Sequence, residues 1–466
     1  MEGNITVTSP NGGLVKERQA LVKRFAHCLS RNPFLSRRVV SYQGNRNVPG
    51  FRWMKYKEGF SRDLVEYLIE QENPKSVLDP FAGICTTPLV ASRRGCQATG
   101  IEIMPVGILA GEAIASAANG LHPDVFNRTA SALLKDIRTQ KSASEHVFRH
   151  VAITKGAFPA ETEKEIARAR QFLSGLEKDG IYSLLQLACL SVLEEASFTR
   201  KDGQYLRWDR RGKRGKSTFD LGPVPRFSTA LKRRLADIAE DISILKEQFS
   251  GESPKLCTGS CLKMLKDIPA GAFDMVITSP PYANRYDYTR TYALELAWMG
   301  FDQKAFTVLR QKLLSATVEN KTKREELASH YGSNRKIFDL ATQMFDNQGA
   351  VHEVLDILQT RRSELSNSGV LTLIQGYFFE MAIIIAELGR IVRPGGVVFM
   401  VNDNVRYHGE DLPVDFILAD FAEAAGFHCD SIWTLHRGKG NSSQQMARFA
   451  RTELRKCVYR WVKSND

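Results

Sequence analysis

The chain has 466 residues, a formal net charge of +12, a pI near 9.2 and a charged fraction of 25%. That length supports one large domain with insertions or two or three ordinary domains, and it excludes a small disulfide-stapled fold. The excess of Lys and Arg favours a polyanionic partner, although charge alone argues only for non-specific attraction. The eight cysteines are scattered, mostly inside apolar runs, which predicts reduced packing in a cytoplasmic protein rather than a disulfide framework. Cys257 and Cys261 have no second Cys/His pair at ligand spacing, so they are read as a strand end and the helix after it, with no metal site expected. "MEGNITVTSPNGG" has neither the basic region nor the apolar core of a secretory signal. Charge-free apolar runs near the roughly 20 residues of a membrane span are absent, so no membrane partner is expected.

In chain order, residues 1–50 are polar and basic and are expected to form an arm. Within 51–103, Leu64, Val65, Leu68 and Ile69 recur at helical spacing behind Ser61, a candidate N-cap, and Pro74 closes the helix. "SVLDPFAGICTTPLVASRRGCQATGIEI" follows as strand, Gly-containing loop, helix, Gly95 and strand, the first βαβ unit of a doubly wound sheet. Residues 104–255 form a mostly helical insertion and candidate target-recognition region, interrupted by the basic stretch 199–219. Residues 256–300 resume the alternation with "LCTGS", a short helix and the strand "FDMVITS". A charged helical insertion occupies 301–370. From 371 to 466 come the apolar helix "IQGYFFEMAIIIAELGRIV", ended by "RPGG", and three strands around "GVVFMVND", "HCDSIWTL" and "KCVYRWV". The expectation is an α/β fold: a Rossmann-like, doubly wound, mostly parallel seven-stranded sheet with largely helical insertions.

Asp79 closes the first strand, before a tight turn, where open α/β sheets bind ligands; Glu102 closes the second and is placed to accept hydrogen bonds from a ribose diol. A dinucleotide enzyme shares that pattern, but the G-x-G-x-x-G fingerprint is missing. Further on, "ITSPPYANRYDYTR" ends a strand in Ser279, Pro280, Pro281 and Tyr282. Two prolines stop the strand and hold the Ser279 and Pro280 carbonyls rigidly. Fixed acceptors are what an exocyclic base amine needs before its nitrogen can attack a methyl group. Tyr282 can stack on a base taken out of a duplex.

"DPFAGICTT" and "TSPPY" resemble the cofactor loop and the catalytic tetrapeptide of the S-adenosylmethionine-dependent amino-methyltransferases of DNA. The matched segments cover roughly half the chain. The resemblance implies that Asp79, Phe81, Gly83 and Thr86 belong to the cofactor loop, that Glu102 holds the ribose, and that Gly259 and Ser260 flank the adenine. It also implies that Lys57 and Phe60, in "FRWMKYKEGFSRDLVEYLIE", sit near the methionine end, and that Ser279, Pro280, Pro281 and Tyr282 form the amine site. Three departures stand out: Cys85 occupies the place of a second loop glycine, Ser260 stands where an acid is common, and the cofactor loop precedes the catalytic loop with an insert between them.

Ser at the first tetrapeptide position resembles the cytosine-N4 branch, which implies a site-specific enzyme on double-stranded DNA; a cognate restriction endonuclease is a candidate further partner. Adenine-N6 methylation is the alternative; structured RNA, or an idle nucleic-acid-binding protein on the same scaffold, are further readings. Arg207, Arg210, Arg211, Lys213 and Arg214, interleaved with Tyr205 and Trp208, are candidate DNA contacts, as are Arg285 and Arg290 beside the tetrapeptide.

Overall fold

The strands range from apolar runs buried on both faces, at 275–277 and 397–401, to the alternately buried and exposed Phe427–Thr434. In the computed structural model, which describes residues 9, 13–139, 144–202, 205–209, 211, 222–248, 252–435, 439–440 and 453–465, eight of them share one sheet. They are β1 (Leu29–Ser30), β2 (Ser76–Asp79), β3 (Gln97–Glu102), β4 (Lys255–Thr258), β5 (Phe273–Thr278), β6 (Val392–Asp403), β7 (Phe427–Thr434) and β8 (Lys456–Lys463), ordered β1-β7-β8-β6-β5-β2-β3-β4. All neighbours run parallel except β8, which is antiparallel to both β6 and β7. Seven strands are those anticipated from sequence. The eighth, β1, is only two residues long and comes from the N-terminal segment.

From β2 the chain steps outward through β3 to β4, then returns to β5 on the other side of β2. The carboxyl ends of β2 and β5 therefore flank the point where strand order reverses, the place where such sheets hold ligands. The loop after β2 turns at Gly83 (φ +55°) and at Cys85 (φ +63°), a left-handed conformation that disfavours a side chain. Helix Pro105–Ala118 makes room for this turn. A Cβ on its Gly107 would lie 2.1 Å from the Gly83 carbonyl oxygen, and one on Gly111 would lie 2.6 Å from Cys85 Sγ.

Helix Arg62–Glu72 is capped differently from expectation. The Ser61 hydroxyl donates to the Val39 carbonyl (2.8 Å), and the Asn45 side chain accepts from the Arg62 N–H (2.9 Å) while donating to the Phe60 carbonyl (3.1 Å). Asn73, at φ +45°, ends the helix. "RPGG" lies wholly after the helix Gly369–Ile391 and makes the irregular start of β6, with Gly395 at φ +71°. That helix is long and apolar enough to cross a membrane by length and composition, but most of it is buried and it carries Glu380, Glu387 and Arg390.

Between β3 and β4 stand the helices Pro105–Ala118, Pro123–Thr139, Ala160–Ser174, Gly180–Ser191 and Phe227–Gln248, with a hairpin of Thr199–Asp202 against Tyr205–Trp208. Between β5 and β6 come shorter helices from Gln303 to Thr360 and then Gly369–Ile391. Each insertion is held by one buried carboxylate. Asp241, on Phe227–Gln248, accepts from the Gly50 N–H (3.0 Å), the Trp53 indole (2.7 Å) and the Arg52 guanidinium (2.7 and 2.9 Å). Glu380 accepts from the Ser315 N–H (2.8 Å) and from the Lys323 ammonium (2.8 and 2.9 Å). Removing one partner of such a buried set leaves the others unpaired. Asp241→Ala is expected to cost about 3–5 kcal/mol, measured as a fall in the urea midpoint at unchanged slope.

Candidate functional site

A narrow cleft opens at the carboxyl ends of β2, β3 and β5, the edge at which open α/β sheets hold ligands. Pro80, Phe81 and Gly83 form one wall, Glu102, Ile103 and Met104 the floor, Gly259, Ser260 and Cys261 one end, and Ser279 with Pro281 the other. The cleft is completed by Tyr56, Glu58 and Tyr288, and by Lys312, Leu313 and Leu314.

Glu102 organises the floor. Its carboxylate oxygens accept the Gly83 N–H (2.7 Å) and the Met104 N–H (2.6 Å), joining the loop after β2 to the end of β3. Each oxygen retains a further lone pair for a ligand hydroxyl. Burial pushes the Glu102 carboxyl up to about 7, against the pull of those two backbone donors. Asp79 lies beneath the loop rather than in the cleft: it accepts from Thr278 Oγ1 (2.7 Å) and from the Phe81 N–H (3.0 Å). Burial raises its carboxyl to about 6 despite these bonds.

The tetrapeptide presents Ser279 with its hydroxyl 3.2 Å from both the Val401 carbonyl and the Tyr282 hydroxyl. Its single proton goes to one of these two oxygens, and the hydroxyl keeps acceptor capacity beside the cleft that Ser279 lines. The Tyr282 hydroxyl also accepts from the Lys456 ammonium (2.9 Å), which in turn meets Asp403 (3.0 Å). Burial opposes the charge on Lys456, but Tyr282 and Asp403 outweigh it and hold the ammonium above its ordinary range. Burial likewise raises the Tyr282 phenol, so the ring stays neutral. Pro280 and Pro281 are both buried, and of the tetrapeptide Ser279 and Pro281 line the cleft.

Beside Pro281, Glu58 gathers a cluster of tyrosines. Its carboxylate accepts from the Tyr286 and Tyr292 hydroxyls, and Tyr292 stacks on Tyr56 at 4.9 Å between centroids. A cleft lined by two carboxylates, tyrosine faces and one lysine suits a ligand with a cationic centre and hydroxyls. S-adenosylmethionine is such a ligand, so the side chains present fit it.

Several residues anticipated from sequence stand elsewhere. Lys57 points away from the cleft and donates to the Lys201 carbonyl (2.5 Å), while Phe60 packs in the core. In this non-helical stretch successive side chains face opposite ways, so Tyr56 and Glu58 take the place expected for Lys57. Thr86 is buried in the first turn of helix Thr86–Arg93 and does not line the cleft. Arg211 is held by buried Asp209 (2.5 Å) and by the Ser197 carbonyl (3.3 Å), and Arg290 by Glu319 (2.7 Å) and Asp287 (3.3 Å), which leaves these arginines less available to phosphates. Arg207 is exposed on the hairpin, and Arg285, at φ +67°, touches Ser366. Arg210, Lys213 and Arg214 lie outside the described residues. Lys456 and Leu313–Leu314 were not anticipated; no local motif marks them, because they reach the site only through sheet pairing and the Glu380 clamp.

The raised Glu102 carboxyl has a consequence for stability. Because the folded protein holds this proton more tightly than an ordinary carboxyl near 4.5, the free protein loses stability as pH rises from about 4.5 through about 7. Glu102→Gln is expected to shrink the difference in melting temperature between pH 5 and pH 8 in the ligand-free protein, measured by calorimetry, while lowering it at pH 5, because the amide nitrogen cannot accept the backbone N–H that the second carboxylate oxygen holds.

Comparison with known proteins agrees with this site. The chain is 42% identical to the Type II methyltransferase M.AvaI of Nostoc sp. (strain PCC 7120 / SAG 25.82 / UTEX 2576) and to that of Anabaena variabilis, over 96% of this chain and 93% of theirs. It is 39% identical to the Type II methyltransferase M.BsoBI of Geobacillus stearothermophilus, over 96% of this chain and 92% of that one. No family model and no solved structure matches. Near-complete coverage at this identity, on a doubly wound sheet, shows that the chain belongs to the S-adenosylmethionine-dependent Type II amino-methyltransferases, enzymes that methylate a base in DNA.

Proposed function

We propose that the base is cytosine, methylated on its exocyclic N4 amine after being turned out of the duplex. What favours cytosine is the serine itself, which at this position resembles the cytosine-N4 branch. The Ser279 oxygen beside the cleft would accept from the amine of either base. Bound S-adenosylmethionine supplies an electrophilic methyl group. Glu102 receives the ribose hydroxyls, Phe81 and Gly83 one side of the cofactor, and Ser260 with Gly259 the adenine end, while Tyr56 and Glu58 face the sulfonium end. Ser279 and the Pro280 carbonyl accept from the target amine and draw its lone pair out of conjugation. Tyr282 offers a ring for the base to stack on, held by Lys456. Ser cannot act as a strong base at its ordinary pKa, so the proton departs once methylation has made the amine cationic and acidic.

In this proposal, residues 104–255 carry target recognition, with Arg207 on the hairpin and Arg285 beside the tetrapeptide as candidate contacts. A cognate restriction endonuclease is the expected partner, a reading supported by the Type II designation of both relatives.

Two measurements test the reading. After incubation of duplex DNA with labelled S-adenosylmethionine, nucleoside mass spectrometry is expected to find N4-methylcytosine; N6-methyladenine would overturn the choice of base. Tyr282→Ala is expected to lose roughly 5–150-fold in kcat/KM, the equivalent of one lost base-stacking contact. Its cofactor affinity should stay unchanged, and full activity would remove the stacking role.

A further inference from the structure

Between Glu17 and Glu58 the chain carries ten Lys and Arg and no Asp or Glu. Several of these cations are committed inside the protein. Arg18 is buried against Glu353 (2.6 Å) and Glu410 (2.9 Å), Arg24 pairs with Asp420 and Glu423, Arg52 with Asp241 (2.7 Å), and Lys55 with Glu194 (2.8 Å). Arg31, Arg37, Arg38 and Arg46 are different: all are exposed, and among the described residues none meets a carboxylate.

These arginines stand on a fixed surface. Leu35, Val39 and Val40 are buried beneath it, Phe34 stacks on Tyr67 at 4.2 Å, Asn32 bonds the Tyr67 hydroxyl (3.0 Å), and the Val39 carbonyl receives both the Ser61 N–H (3.0 Å) and its hydroxyl (2.8 Å). Arg46 lies against the Tyr42 ring at 5.1 Å and donates to its hydroxyl (2.7 Å).

Sheet register locates the surface. Ser30 is level with Trp433, Thr434 with Cys457, and Lys456 with Asp403, so the chain leaves β1 at the sheet edge that carries Ser279. It then runs to the start of Arg62–Glu72, passing Tyr56 and Glu58 of the cleft. Four strand spacings separate β1 from β5, roughly 19 Å, about the width of a duplex.

We propose that Arg31, Arg37, Arg38 and Arg46 form a docking surface for the sugar–phosphate backbone of duplex DNA, flanking the base whose amine is methylated. Guanidinium forks on a rigid support bind phosphates without reading sequence, so the surface sets where the duplex lies while other elements choose the site. It rests on DNA being the substrate, and on neither the cytosine nor the adenine reading.

The test compares the full-length protein with two double variants of equal charge loss: Arg37→Ala with Arg38→Ala, and, as control, Lys75→Ala with Lys255→Ala, two exposed cations at the opposite sheet edge. Affinity for a specific duplex is measured across salt concentrations, beside cofactor affinity and kcat at saturating DNA. The arginine pair is expected to flatten the slope of log K against log salt by about 2. Its kcat and cofactor affinity should be unchanged, and the lysine pair should leave the slope at the wild-type value. An unchanged slope in the arginine variant, or an equal change in the lysine control, would overturn the proposal. A wild-type protein that methylates no duplex would overturn the DNA reading itself, and the docking surface with it.

Discussion

Both oxygens of Glu102 accept backbone N–H groups, one from the loop after β2 and one from the chain just beyond β3. That carboxylate is the constraint on which the site depends. Parallel strands end in loops whose N–H groups have no partner in the ladder, and buried N–H groups must find one. Here the partner is a side chain that keeps lone pairs facing outward, so one group closes the loop and also presents an acceptor. The cost is visible in its proton affinity: burial holds the carboxyl near 7, and the free site carries an ionisation penalty that a hydroxyl donor would relieve.

The insertions follow the same logic at longer range. Asp241 grips the backbone and side chains at Gly50–Trp53, just before Tyr56 and Glu58, while Glu380 grips Ser315, just after Leu313 and Leu314. Two segments that would otherwise be surface loops are thereby held as walls of the cleft. Each anchor is a carboxylate far away in sequence, and each is fully enclosed, so its bonds are not shared with water.

What was legible in the sequence divides along these lines. The seven long strands, the βαβ unit, Glu102 and the Ser-Pro-Pro-Tyr turn follow from local pattern, because periodicity and proline chemistry act over a few residues. Side-chain direction in irregular chain does not, and so Lys57 and Phe60 were assigned where Tyr56 and Glu58 stand. Asp79 lay one layer too deep for the same reason: a strand-end carboxylate either faces a ligand or braces its own loop, and only the Thr278 hydroxyl beside it decides. Arg211 and Arg290 were expected as free charges, but the acids that hold them, Asp209 and Glu319, become neighbours through the hairpin and the second insertion. Lys456 was invisible because β8 pairs with β6 across a gap of more than fifty residues.

Cys85 sits where a glycine would take the left-handed turn freely, at φ +63°, with Gly107 and Gly111 in the facing helix cut back to admit the loop and its thiol. In the folded protein this conformation carries a strain of order 1 kcal/mol. The same side chain narrows the conformations open to the unfolded polypeptide, where a glycine would wander most, an effect of about 0.4–1 kcal/mol in the opposite direction. At a positive φ the strain is the larger of the two. The cofactor loop is therefore held against its own side chain by the Glu102 carboxylate on the Gly83 N–H and by the Cys85 N–H on the Ala82 carbonyl (2.7 Å).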